Sequence, residues 1–260
     1  MIDSFVLASS SREIENKYRV KNFYPELKIP LPKILSAGDE FWTMTFYSPS
    51  NITVMQFGYK SERSMESESS LNFFVVDPYE YFINSRLVSG NDPKRCLVIV
   101  DAFFVRTTNN QKYLIHLQNK ERAIGLAAMF DYGINFNTGV PFVGFVIFTV
   151  HSSPMFQKAG IAELPVILTK ENAHIWIGDN FQKKSAINLF NADNDRILDG
   201  YPVHKDIFAG PVTWDQLQPG GERLNPISSD TRVRNLEKEE QPNVKDNRYK
   251  RHKDNIIYLR

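Results

Sequence analysis

Between residues 95 and 150 the chain holds four closely spaced runs rich in β-branched and aromatic residues: Cys96 to Val105, Lys112 to Gln118, Arg122 to Phe130 and Phe142 to Val150. Turn residues separate them, so each reads as a strand. Such density predicts a largely antiparallel, partly closed, β-barrel-like sheet. Upstream, Phe41 to Tyr47 and Thr53 to Tyr59 read as a hairpin around Ser48-Pro49-Ser50-Asn51.

Helical signals are few. Ser10 stands three residues before Glu13, as in a capping box, and Ile14 with Tyr18 supplies one apolar face at i, i+4. Thr169-Lys170-Glu171-Asn172 predicts the start of a short helix carrying Ile175 and Trp176, and Lys183 to Phe190 reads as another. The expected class is therefore α+β, a sheet core with peripheral helices. Ser61 to Ser70 is too hydrophilic for the core and reads as an exposed loop.

The 19 Phe, 11 Tyr and 3 Trp can fill a large interior, and a hydrophobic fraction of 42% excludes global disorder. One domain over residues 1–217 is expected, followed by a polar, basic tail over 218–260. Residues 222–260 carry ten Lys/Arg against seven Asp/Glu, while the whole chain has a net charge of +1. A bulk electrostatic attraction to nucleic acid is thereby excluded, leaving a local patch or the tail. No apolar run reaches the roughly 18 to 20 residues that cross a bilayer, so no membrane association is expected. The single cysteine, Cys96, allows neither an internal disulfide nor a thiolate-rich metal site, which points to the cytoplasm.

Motif reading alone names no reaction. The chain has no Gly-rich phosphate loop, HExxH or Gly-x-Ser-x-Gly elbow. Its histidines, His116, His151, His174, His204 and His252, lack metal-ligand spacing, so neither metal nor cofactor is expected. Cys96, between Arg95 and Leu97-Val98-Ile99-Val100, reads as a small buried hydrophobe.

The ordered segments Arg95-Cys96-Leu97 through Asp101-Ala102-Phe103-Phe104-Val105, Lys112 to Leu117, Ala127-Ala128-Met129-Phe130, Leu164-Pro165-Val166-Ile167-Leu168 with Trp176, and Tyr201-Pro202-Val203 carry a family pattern. They resemble the strands of the abasic-site-processing, or SOS-response-associated peptidase (SRAP), family. Phe57-Gly58 is similar to its Trp-Gly pair. The resemblance spans about residues 1–208. It implies capture of abasic sites in single-stranded DNA by a cysteine at position 2, whose amine and thiolate close a thiazolidine, with a Glu and a His handling protons.

Carried over residue by residue, the resemblance implies a site without that chemistry. Ile2 stands at the cysteine position, Val105 at the Glu position and Ile161 at the His position. The resemblance also implies an Asn and an Arg that position these groups: spacing favours Asn72 for the Asn, whereas the local Asn-x-Arg pattern is met by Asn84 with Arg86. Glu163 and His204 are the candidate substitutes for the missing proton carriers. Three aliphatic replacements predict a dry, packed pocket.

What the resemblance leaves is non-covalent binding of single-stranded or abasic DNA in a DNA-damage context. Phe57 is the candidate stacking platform, with Lys94 and Arg95 as phosphate contacts. The alternatives are a scaffold that engages a protein partner through the 218–260 tail, and residual Schiff-base chemistry at the Met1 amine.

Overall fold

The computed structural model describes residues 2–23, 33–60, 72–73, 75–78, 82, 94–119, 121–134, 140–182, 188–190, 197–203 and 224. All belong to one unit, Met1–Pro226. The Ser61 to Ser70 loop, Asn84, Arg86, His204 and the tail expected from residue 218, Leu224 apart, lie outside the described residues.

Two sheets dominate. The smaller has the order β16-β11-β10-β1-β3, with β1 Ile2–Leu7, β3 Lys33–Leu35, β10 Ala102–Arg106, β11 Lys112–Leu117 and β16 Leu198–Pro202. The larger runs β14-β13-β12-β9-β4-β5-β2, built from β2 Asn22–Phe23, β4 Glu40–Thr45, β5 Ser48–Phe57, β9 Arg95–Val100, β12 Ile124–Ile134, β13 Pro141–His151 and β14 Glu163–Pro165. To it β8 (Val75–Val76) and β15 (Ile167–Leu168) add short pairings, and β6 (Tyr59–Lys60) pairs with β7 (Asn72–Phe73) separately.

Most ladders are antiparallel, while β13 runs parallel to β5 and β8, and β2 parallel to β5. The contact of β13 with β5 brings the larger sheet back on itself through β12, β9 and β4, so it is partly ring-like. The α+β class and the strand-dominated core are thus as the sequence predicts.

Two strand boundaries differ from the sequence reading. Cys96 to Val105 is not one strand but two, broken at Asp101, with β9 in the larger sheet and β10 in the smaller. The hairpin turn lies at Phe46-Tyr47, and Ser48-Pro49-Ser50-Asn51 belongs to β5. Thr45 pairs with Ser48 after a register shift, which leaves two aromatic residues at the turn in place of the usual turn formers.

The first helix, α1 (Ser11–Tyr18), forms as its capping box predicts: the Glu13 amide donates to the Ser10 hydroxyl, and the Ser10 amide donates to the Glu13 carboxylate at 2.7 Å. That backbone bond holds the Glu13 carboxyl below its ordinary range. Ile14 and Tyr18 form the buried face. A short α2 (Pro154–Lys158) precedes β14, and α3 (Lys170–Ile177), capped by Thr169, buries Trp176 while Ile175 stays exposed.

The two strands of the ring that run parallel pair at Gly144 and Phe145, opposite Gln56 and Phe57, with Gly58 just beyond the end of β5. A Cβ built at Gly144 would lie 2.5 Å from the Gly58 carbonyl oxygen, a backbone atom that cannot rotate away. Gly144→Ala is therefore expected to lower stability by about 1 to 3 kcal/mol, read from the midpoint of urea unfolding with an unchanged slope.

Candidate functional site

The residue expected to face the site first, Ile2, opens a strand that the sequence reading did not assign. The apolar residues of β1 alternate over Phe5, Val6 and Leu7 only in part, because a register irregularity at Asp3 breaks the period: Ile2 pairs with Val105 and Ser4 with Phe104. Phe5 and Leu7 face the main core and Val6 the smaller cluster behind the five-stranded sheet. Without the extra residue Ile2 would fall on the Val6 side. The bulge turns it onto the main core instead, opposite Val105. The Ser4 hydroxyl, two residues on and opposite Phe104, is buried and has no hydrogen-bond partner among the described residues.

Ile161 reaches the same core from the other direction. It follows Gly160, whose φ of 80° is open to glycine, and its amide donates to the Phe156 carbonyl at 3.0 Å. The Ser152 hydroxyl donates to the Ile161 carbonyl at 2.5 Å, and the Thr108 amide, just beyond β10, donates to Gly160. Val105 is 0% and Ile161 1% exposed. The three aliphatic residues therefore share one core cluster: Val105 and Ile161 are buried in it and Ile2 packs against it. Neither a nucleophile nor a titratable side chain is among them.

The other predicted site residues are dispersed. Glu163 is exposed at the start of β14, opposite the exposed His151 in register, rather than inside the cluster. The Asn72 backbone pairs with Lys60 across β6 and β7.

The predicted DNA contacts need correction. Phe57 is 4% exposed, edge-on to Phe5 at 5.3 Å and stacked on Phe145 at 5.3 Å, so its ring faces are taken by the core and cannot receive a base. Arg95 is 5% exposed. Its Nε donates to the Trp176 carbonyl at 2.7 Å and an Nη to the Gly178 carbonyl at 3.2 Å, which ties down the C-terminal end of α3. Its guanidinium lies over the rings of Phe181 and Phe46, at 4.1 and 4.9 Å. Residue type suggested surface contacts; burial makes both residues structural. Lys94 stays half-exposed and is ion-paired to Asp131, a hydrogen bond that raises its pKa.

Cys96 is fully buried, as its apolar neighbours predict, and burial pushes its thiol pKa well up, so it supplies no thiolate. Among the described residues no group of three or more His, Cys, Asp or Glu could hold a metal ion, and no helix is long and apolar enough to cross a membrane.

One functional-looking residue was missed. Asp101, at the break between β9 and β10, is 8% exposed and accepts from the amides of Ala8, Ser9 and Ala123 and from the Ser9 hydroxyl. Its role is to fix the exit of β1, not to react. A lone carboxylate inside an otherwise apolar run was the available signal.

Residues 86–209 match the family described as SOS response associated peptidase (SRAP). Over that stretch the chain is similar to an SRAP domain. Several crystal structures share its fold. One is a protein from Bacteroides thetaiotaomicron, 16% identical with a TM-score of 0.67, the alignment covering 84% of this chain and 99% of that one. A protein from Bordetella bronchiseptica is 11% identical with a TM-score of 0.59 over 78% of this chain and 99% of that one. A phage-related protein from the same organism is 16% identical with a TM-score of 0.55 over 78% and 94%. No curated protein matches the sequence. Val105 and Ile161 lie within the matched stretch, whereas Ile2 and Asn72 precede it. The family's description ties this SRAP-like protein to the DNA-damage response.

Proposed function

We propose that this SRAP-like domain has lost the covalent abasic-site chemistry that its family resemblance implies and acts as a non-covalent binder of single-stranded or abasic DNA in the cytoplasm. The observation that carries the loss is the pairing of Ile2 with Val105, with Ile161 in the same buried cluster. Where the resemblance places a nucleophile and two proton carriers, the side chains are hydrocarbon, and an apolar cluster offers a carboxylate or imidazolium no partner.

Borohydride trapping of the full chain with an abasic oligonucleotide tests the reading. Non-covalent binding without an adduct is the expected result. A reducible adduct would show that an amine, Met1 first among the candidates, still condenses with the sugar aldehyde, and would overturn the loss. Absence of DNA binding even at low salt would instead favour a scaffold that keeps the fold and engages a protein partner through residues 218–260.

A further inference from the structure

At the far end of β9 from Asp101, about 20 Å along the strand, two exposed rings flank a fixed ion pair. Tyr47 at the β4–β5 turn is 65% exposed and Tyr132 on β12 is 63% exposed. Lys94 lies between them, because the Phe46 amide donates to Arg95 on one side and the Phe130 amide donates to Lys94 on the other. The Lys94 ammonium is paired with Asp131 and sits 4.8 Å from the centre of the Tyr132 ring.

Tyr47 is held from beneath. Its ring lies 3.8 Å from that of Phe46, Phe46 faces the Arg95 guanidinium at 4.9 Å, Arg95 faces Phe181 at 4.1 Å, and Phe181 meets Trp176 at 5.1 Å. The column of rings starts at the buried Trp176 and ends at solvent on Tyr47. A phenol already ordered by such a stack gives up little rotamer freedom when another planar group is laid on it.

Asp131 adds a polar reader. Its Oδ1 accepts from both the Lys94 ammonium and the Tyr132 amide, and among the described residues nothing donates to Oδ2, an acceptor on a half-exposed side chain. A protein interface would gather an apolar centre here, whereas these rings stand beside a charged pair. Ring faces for stacking, an ammonium for a phosphate and a carboxylate for an exocyclic amine together match single-stranded nucleic acid.

We infer that Tyr47, Lys94, Asp131 and Tyr132 form a stacking site for single-stranded DNA that prefers amino-bearing bases such as cytosine to thymine. The inference rests on the proposed DNA-binding reading and moves its contact surface away from the buried Phe57 and Arg95. Because Asp131 offsets Lys94, the site gains about one phosphate contact at most, and affinity falls only shallowly with salt.

Fluorescence anisotropy of labelled oligo(dC) and oligo(dT) with the full chain tests it. Tyr47→Ala and Tyr132→Ala are each expected to weaken oligo(dC) binding about tenfold. Tyr47→Phe, which keeps the ring, retains it, and Asp131→Asn narrows the gap between the two oligomers. Both tyrosines are exposed, and unchanged thermal melting of the variants establishes that they fold. Wild-type binding that both alanine variants preserve would overturn this site while leaving DNA binding in place. Failure of the wild type to bind either oligomer at low salt would remove the DNA reading itself, and this site with it.

Discussion

Asp101→Ala is expected to cost about 3 to 5 kcal/mol of stability, more than removal of an ordinary hydrogen-bonding side chain. The carboxylate accepts from the Ala8 and Ser9 amides at 2.5 and 2.7 Å, from the Ser9 hydroxyl, and from the Ala123 amide at 2.9 Å. Truncation leaves several buried donors without a partner, each worth about 1 to 3 kcal/mol when unsatisfied, partly recovered by local relaxation. Ala123 makes the dependence sharper. It adopts φ of 54°, a left-handed conformation that costs a residue with a Cβ about 1 to 2 kcal/mol. Its amide is held by Asp101 and its carbonyl accepts from the Tyr18 hydroxyl at 2.8 Å. Burial first, then the Glu121 and Asp101 carboxylates, pushes the Tyr18 pKa up, which keeps that hydroxyl protonated as a donor. Asp101→Asn is expected to be almost as damaging, because its amide nitrogen turns two donors toward backbone amides. Urea unfolding measures both, and loss of amide-exchange protection centred on β1 and α1 locates the effect; a cost under about 1 kcal/mol would sink the account.

That network also explains which parts of the fold could be read from sequence. The capping box, the start of α3 and three of the four central strands rest on local signals, and each appears where those signals place it: Ser10 with Glu13, Thr169 with Asn172, and the apolar runs of β11, β12 and β13. β1 escaped because the Asp3 irregularity breaks a period of two over six residues, which leaves no clean alternation. The break at Asp101 escaped for a different reason. Asp101 alone interrupts β propensity in Cys96 to Val105, too weak a signal to place a break, and the chain changes sheets there because Asp101 is claimed by donors 22 and more than 90 residues away in sequence. Long-range partners of that kind have no local signature.

The candidate site divides along the same line. Residue identity at Ile2, Val105 and Ile161 is read directly, whereas their place in the main core, Ile2 at its margin, comes from the register of β1 on β10 and the turn at Gly160. Exposure was not legible either. Phe57 and Arg95 have the residue types of a nucleic-acid surface, yet both are buried by partners on distant elements, Phe5 on β1 and the carbonyls ending α3. The exposed rings, Tyr47 and Tyr132, carry no sequence mark that separates them from the other tyrosines. Only the sheet order β12-β9-β4 sets them on either side of Lys94.

Val105→Glu tests the lost chemistry from the other side, by returning a carboxyl to the position where the resemblance places one. Val105 is fully buried, opposite Ile2, with Ile161 in the same core cluster, so an ionised carboxylate there has no donor or cation among these three. Burial without a partner raises a carboxyl pKa by about 3 to 5 units, equivalent to about 4 to 7 kcal/mol against the ionised form. The pH dependence follows. Below the unfolded pKa of about 4.3 the side chain is neutral in both states and the variant pays only for polarity and size. As pH rises above that value the unfolded chain ionises and the folded one does not, so the penalty grows until the raised folded pKa is passed and then levels off. The variant is therefore expected to be far less stable than the wild type at pH 7, with part of the deficit recovered near pH 4, measured as the difference in urea midpoint at the two pH values. A Val105→Glu protein as stable as the wild type at pH 7 would mean that water or a basic group reaches this position, and the argument from a dry pocket to absent proton transfer would fail.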